Sequence, residues 1–424
     1  MILFLFLAIV LAMGVPIGIS LGVASVAGIA VIGSYQLELI AQSMITALDS
    51  FPLMAVPFFI LAGEIMGQGG ISKRLLSTAE AFFGRYTGGL GMVAIVACMF
   101  FAAVSGSAPA TTAAIGGIMI PSMIDKKYGA DYSSALVASS GSIGVMIPPS
   151  IPMVIYSVSA STSISEMFMA GVIPGIMVGV GLCVYNYFHC RKCPDIPKAE
   201  KKYSMKEKLL IVWEAKWSLL MPIIILGGIY GGFFTPTESA AIAVVYGLIV
   251  SLLIYKDIKV KDLYRIFVKS GLTTATTLII MGTASTFGRL LNLEQIPTTV
   301  AESITSVTSN KYIILLLIIV LLLIVGCFME TLASIIILTP ILLPVVTEVG
   351  VDPIHFGIVM VVGLAVGFIT PPLGVDLFVA SGIGKISLEK ISKAVVKPML
   401  VMIAILIIIA MVPEISLFLP GLMK

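Results

Sequence analysis

Residues Gly141–Ser157 read GSIGVMIPPSIPMVIYS, an apolar run interrupted by a Pro-Pro pair, and 223 residues later Leu364–Ala380 read LAVGFITPPLGVDLFVA. The same displacement carries Pro121 onto Pro344, Gly144 onto Gly367, Pro148 onto Pro371 and Pro149 onto Pro372. Proline supplies no amide hydrogen and biases the preceding residue away from the helical region, so each pair is expected to break a helix. Working outward, Ser105–Met123 (SGSAPATTAAIGGIMIPSM) falls on Phe328–Val346, and Phe168–Phe188 falls on Ile391–Met411. Identity between the halves is low; prolines, glycines and element order carry the alignment. A break and a small-residue hairpin recurring together argue for two structural repeats rather than two unrelated kinks.

The rest of the chain shows where these repeats reside. Of 424 residues 59% are hydrophobic and 11% charged, and mean hydropathy is +1.13. Soluble domains carry about a quarter charged residues, so this chain cannot coat a water-facing surface. Apolar segments of the roughly 20 residues that a spanning helix needs recur throughout. They are continuous rather than alternating, which indicates helices and not barrel strands. The fold class is therefore an all-α polytopic membrane protein.

Cytoplasmic loops carry the excess of Lys and Arg, and the Lys-rich loop His189–Lys216 sets the inside. One assignment then places 22 of the 25 basic residues inside, leaving Arg289, Lys311 and Lys424 outside. The loops Ser34–Phe51 and Ser159–Met167, placed outside, hold acids but no Lys or Arg. This topology requires Leu90–Met123 and Tyr312–Val346 to enter the membrane and return to the same side, as re-entrant helical hairpins. Ile2–Gly33 reads as two short crossings broken near Pro16, the alternative being one tilted crossing. With five crossings and one hairpin per half, the second half is inverted relative to the first. Inverted repeats with broken helices are the architecture of secondary transporters, whose site lies where the halves meet. Residues 1–190 form the first repeat, with a hairpin at about 88–123 and a broken helix at about 134–158. Residues 191–216 form a cytoplasmic loop. Residues 217–424 form the second repeat, with a hairpin at about 312–346 and a broken helix at about 355–380.

The hairpin tips and the breaks carry the chemistry. Glycine permits an unwound backbone whose carbonyls, with nearby hydroxyls, need partners. Sodium is a hard cation that takes such oxygen ligands, by the preference that governs calcium and magnesium sites. The expected sodium ligands are Ser105, Gly106, Ser107, Ser140 and Gly141 in the first half, and Gly326, Thr331, Gly367 and Thr370 in the second. The C-terminal end of each half-helix favours a cation and the N-terminal end of the next an anion. An anionic substrate is accordingly expected against Ala108, Thr111, Ser142, Pro148, Pro149, Glu330, Ser334, Pro371 and Asp376. Intramembrane carboxylates are functional candidates by default; Glu330 and Asp376 are preferred because they occupy repeat-matched positions, whereas Glu64 and Glu238 read as structural.

Several function classes are disfavoured. The five cysteines form no disulfide framework, and the lone CxxC at Cys190 and Cys193 lacks the second ligand pair of a zinc site. No HExxH or Walker A motif occurs, and His189 and His355 are read in loops far apart, so an enzyme is not expected.

At these motifs the chain closely resembles the large membrane subunit of tripartite ATP-independent periplasmic (TRAP) transporters. The resemblance rests on Ser105–Met123, Gly141–Tyr156, Ile369–Ile383 and GGIYGGFFTPTESAAIAVVYGL (Gly227–Leu248), and it covers essentially the whole chain. It implies an elevator-type transporter of the bacterial inner membrane in which a mobile domain bearing both hairpins slides against a scaffold, driven by sodium ions. It also implies two partners, a small four-helix membrane subunit and a periplasmic substrate-binding protein that delivers an organic anion such as sialic acid or a C4-dicarboxylate. Because Met1 begins directly at the first large-subunit segment, the small subunit is expected as a separate chain. A stand-alone sodium/dicarboxylate or citrate carrier is the alternative with the same architecture; GGFFTPTE (Gly231–Glu238) favours the tripartite family.

Overall fold

The computed structural model describes residues 2–33, 35–193, 196, 203–308 and 310–422. Lys198, Lys201, Lys202 and Lys424, which enter the charge-based topology, lie outside them. The described residues form helices and no strands. The chain begins with α1 (Ile2–Ala12), α2 (Ile17–Ile32), α3 (Glu38–Leu48), α4 (Ala55–Gln68) and α5 (Ile71–Phe83). A first helical hairpin follows, α6 (Gly89–Ser105) and α7 (Ala108–Asp125), and then the broken pair α8 (Ala130–Gly141) and α9 (Ile151–Ser159). Next come α10 (Ile164–Arg191), α11 (Met205–Tyr230), α12 (Pro236–Ile249), α13 (Val260–Leu293) and α14 (Ile296–Val307). A second hairpin, α15 (Lys311–Phe328) and α16 (Thr331–Glu348), precedes the second broken pair, α17 (Pro353–Gly367) and α18 (Val375–Gly384). The chain closes with α19 (Leu388–Met411) and α20 (Glu414–Gly421). Among the described residues eight helical segments are long and apolar enough to cross a bilayer. The longest helix, α13, has 34 residues, about 51 Å at 1.5 Å per residue.

Local chemistry sets the helix starts. Ser204 and Glu207 close a capping box at the head of α11, and Thr235 and Glu238 close another at the head of α12. Each box satisfies two amide donors that a helix leaves free. Glu238 is thus the acid of a cap, which gives the FFTPTE motif a structural reason. Asp352 accepts from the amides of Ile354 and His355 at the head of α17. The bounds of α7 and α16 are 223 residues apart at both ends, and the starts of α8 and α17 show the same displacement.

α17 is the central strut. Every residue from Ile354 to Gly367 is buried, and the Tyr156 hydroxyl of α9 donates to the Pro353 carbonyl at its head. Asn186 of α10 pins the base of the first hairpin: its amide donates to Gly88 O at 2.9 Å, and its carbonyl accepts from Tyr132 of α8 at 2.9 Å.

Three sequence readings are revised and one is kept. The polar stretch 189–216 is a loop only in part, because α10 runs to Arg191 and α11 starts at Met205. The segment Ser34–Phe51 contains the amphipathic α3, packed on α13. The break read near Pro16 is present, and it separates two helices that pack on each other. His189 lies in the last turn of α10, stacked on Tyr132 at 4.0 Å, and His355 is buried in the first turn of α17; neither is in a loop.

Candidate functional site

Both hairpins turn within two residues, and their tips face one cavity of about 450 Å³. Ser105, Gly106, Ser107 and Ala108 line it from the first tip, and Glu330, Thr331 and Leu332 from the second. The opposite wall is α4, through Gly63, Glu64, Gly67 and Gln68, and α13, through Lys269, Thr273 and Thr277.

The first tip is a closed hydrogen-bonded knot. Ser105 Oγ lies 2.8 Å from Thr111 Oγ1, and Thr111 Oγ1 in turn donates to Ser107 O at 2.8 Å. Gly106 adopts φ +57°, and a Cβ there would stand 3.0 Å from the Pro149 carbonyl oxygen. Glycine is therefore required at this point, both for the left-handed backbone and for the approach of the tip to the first break. The break itself is sealed. Pro148, Pro149 and Ser150 are buried, and Ser139, Ser140, Ser142 and Ser150 all donate to carbonyls of their own segment. Ser140, Gly141, Ser142 and the two prolines are thus behind the first tip rather than on the cavity wall. The Ser140 hydroxyl, 2.7 Å from Leu136 O, retains its oxygen lone pairs for a further contact.

The second tip is looser. Thr331 is 1% exposed and its hydroxyl has no hydrogen-bond partner. Glu330 is exposed to the cavity and its carbonyl accepts from the Ser334 hydroxyl at 3.0 Å. Behind the tip, Gly326 meets Gly367 backbone to backbone: a Cβ on Gly326 would lie 3.0 Å from the Gly367 Cα. The Cys327 thiol donates to the Thr370 carbonyl at 3.1 Å, and the Thr370 hydroxyl donates to Val366 O at 2.9 Å. In this break Pro372 and Leu373 are exposed and Pro371 is half-buried. Both Pro-Pro peptide bonds are cis.

Asp376 stands apart from the cavity. It is fully buried at the start of α18, packed on α7 and α8, with both carboxylate oxygens lacking a hydrogen-bond partner. The Thr112 hydroxyl of α7 is its polar neighbour. The predicted substrate group is therefore divided. Ala108 and Glu330 reach the cavity, whereas Thr111, Ser142, Ser334 and Asp376 lie behind its wall.

Three wall residues escape a reading of the sequence. Lys269 Nζ lies 2.8 Å from Glu64 Oε1 and 2.9 Å from Oε2, and Thr273 and Thr277 continue its face of α13 at four-residue spacing. The signals were a lysine beside an apolar segment and a run of threonines, TTATT (Thr273–Thr277), inside it. Glu64, read as structural, is Lys269's partner on this wall.

Comparison with known proteins gives the arrangement its family. The family described as "Tripartite ATP-independent periplasmic transporter, DctM component" matches residues 4–415. The chain belongs to the DctM family. This DctM-family chain is 48% identical over 420 residues to the isethionate TRAP transporter permease protein DctMQ of Oleidesulfovibrio alaskensis, spanning 99% of this chain and 66% of that protein. It is 40% identical over 404 residues to the C4-dicarboxylate TRAP transporter large permease protein DctM of Pseudomonas aeruginosa, covering 95% and 94% of the two chains. It is 37% identical over 411 residues to the sialic acid TRAP transporter large permease protein SiaM of Vibrio cholerae, covering 96% and 95%. Among solved structures, the YdaH transporter of Alcanivorax borkumensis aligns with TM-score 0.65 at 14% identity, over 88% of this chain and 86% of that one; that likeness concerns the fold alone. The DctM-family chain is thus a multi-pass membrane protein whose relatives are transporter permeases.

Proposed function

We propose that this chain is the translocating subunit of a sodium-coupled TRAP transporter that imports an organic anion across the bacterial inner membrane. The observation that carries this reading is the shared cavity: one tip from each half of the chain meets there, with hydroxyls, two carboxylates and a lysine on its walls. Sodium is held at the first tip by oxygens of Ser105, Gly106, Ser107, Ser140 and Gly141, and at the second by those of Gly326, Thr331, Gly367 and Thr370. Glu330 is better suited to attracting that cation than to contacting an anion, since like charges repel at close range. The two halves are inverted repeats, and the elements bearing the hairpins and breaks move as a unit against α4, α13 and their neighbours.

A small membrane subunit and a periplasmic binding protein complete the assembly. The isethionate relative is longer than this chain and is named DctMQ, which is consistent with a small subunit fused to the large one in that protein. Isethionate, a sulfonate, is the first substrate to test, followed by C4-dicarboxylates and sialic acid. The experiment is uptake into proteoliposomes holding the chain, its small subunit and its binding protein, with sodium and membrane potential varied separately. Sodium-dependent uptake of one of these anions is expected. Uptake that ignores sodium and follows an imposed pH gradient overturns the coupling, and uptake without the binding protein overturns the tripartite assembly.

A further inference from the structure

The cavity carries three charged side chains among the described residues that line it: Glu64, Glu330 and Lys269. An arriving organic anion therefore meets two carboxylates and a single cation, and that cation is already engaged by both oxygens of Glu64 at 2.8 and 2.9 Å. The two partners are unequally held. The Glu64 side chain is 19% exposed, whereas that of Lys269 is 62% exposed on a flexible four-carbon stem. The ammonium is thus the mobile partner. Thr273 and Thr277 line the same cavity on the same face of α13, so a polar track runs along the wall from the lysine. α4 and α13 pack on each other, and Arg265 donates to Gln68 at 3.1 Å one turn before Lys269 on α13 and one turn after Glu64 on α4. That second bridge holds the two helices in register if the ion pair opens.

We propose that Lys269 is a positioning residue for the carried anion: the anion's carboxylate or sulfonate replaces Glu64 on the ammonium, making the pair a charge-exchange gate on the wall facing both hairpin tips. No bond is made or broken in this exchange. It rests on the reading of the chain as an anion transporter. It adds that the wall of α4 and α13 takes part in substrate selection rather than serving only as a surface for movement. A carboxylate or sulfonate presents the same paired oxygens to the ammonium as Glu64 does, whereas a neutral analogue leaves the ion pair in place.

The test is initial uptake by the reconstituted assembly as a function of substrate concentration, with whichever of isethionate, succinate and N-acetylneuraminate the wild-type protein takes up. The proteins compared are wild type, Lys269→Gln, Lys269→Arg, Glu64→Gln and the double variant Glu64→Gln/Lys269→Gln. Lys269→Gln is expected to raise KM about tenfold or more with kcat changed far less, the pattern of lost binding common to ground and transition states. Glu64→Gln frees the ammonium and is expected to lower KM about two- to fivefold, on the scale of a screened ion pair. The double variant should resemble Lys269→Gln, and Lys269→Arg should fall between it and wild type. A pair that serves only the fold behaves differently, since either single change then harms uptake alike and the double variant recovers; that result overturns the proposal. Thermal stability and reconstituted amount, measured for each variant, separate a folding defect from a change in KM. Wild-type uptake of none of the three anions overturns the transport reading together with this inference. Wild-type uptake matched by Lys269→Gln at unchanged KM overturns this inference alone.

Discussion

The two helix breaks share a backbone device and differ in their exposure and in the charged group attached to it. Around the first, Pro148, Pro149 and Ser150 are buried, four serine hydroxyls are bonded to nearby carbonyls, and Gly106 presses the hairpin tip against Pro149. Around the second, Pro372 and Leu373 are exposed, the Thr331 hydroxyl lacks a partner, and a carboxylate lies buried without one. The residue that corresponds to Asp376 in the first half is Met153, an apolar side chain that is fully buried. Buried polar groups without partners are costly, so they persist where they serve a purpose. The first break is a packed seat, around which Thr112, Ser134 and Ser157 also lack hydrogen-bond partners; what the second adds is an unpartnered buried carboxyl.

The largest effect should come from removing that chemistry. Asp376→Asn keeps the shape and replaces the carboxyl by an amide; uptake is expected to fall about 100-fold, the equivalent of ~3 kcal/mol, the upper scale for a lost buried polar partner. Thermal stability should stay near wild type, because one buried polar group of the same shape replaces another. Met153→Leu, at the matched position, should leave uptake near wild type. Transport assays and melting curves on the two variants decide the matter, and full activity of Asp376→Asn would make the asymmetry between the breaks incidental.

Next in size is Gly106→Ala. Its left-handed backbone costs a non-glycine residue about 1–3 kcal/mol, and the added methyl would crowd the Pro149 carbonyl. A drop in melting temperature together with reduced uptake is expected. Stability and uptake equal to wild type would show that the first seat is not rigid.

The smallest expected effect separates the two tips by their sodium dependence. Thr331→Val deletes a buried hydroxyl that has no protein partner, so the fold should be little changed while the sodium concentration for half-maximal uptake rises about tenfold, within the range for a lost buried polar contact. Ser105→Ala should shift it less, about threefold, because Thr111 keeps its own bond to the Ser107 carbonyl. Equal shifts for the two variants would mean that the contrast in bonding at the tips has no bearing on the cation.

Much of this architecture is legible from residues that a single physical rule governs. Proline pairs mark the breaks, glycine and serine mark the tips, and apolar runs mark the long helices. Other elements obey rules that a hydropathy reading does not sample. α3 is amphipathic, with Glu38 in its first turn and one face on α13, so its composition resembles that of a loop. The first turns of α11 are charged, and only the Ser204/Glu207 box announces the helix. The ion pair of Glu64 and Lys269 joins residues 205 positions apart; each taken alone is an ordinary charge near the end of an apolar segment. For Asp376, the sequence signals an unusual carboxylate, but only packing places it against α7 and away from the cavity.

The Cys327 thiol, donating to the Thr370 carbonyl across the gap between second tip and second break, also equips the protein with a native reporter. Its sulfur is buried while α15 rests against that break. Any separation of the two elements withdraws the carbonyl and uncovers the thiol, so its alkylation rate by a membrane-permeant maleimide tracks how often the gap opens. Cys98, buried among the first hairpin's helices, supplies an internal reference in the same molecule. The ratio of the two rates, followed as sodium and substrate are added, gives a clock for movement in the second half that requires no engineered label.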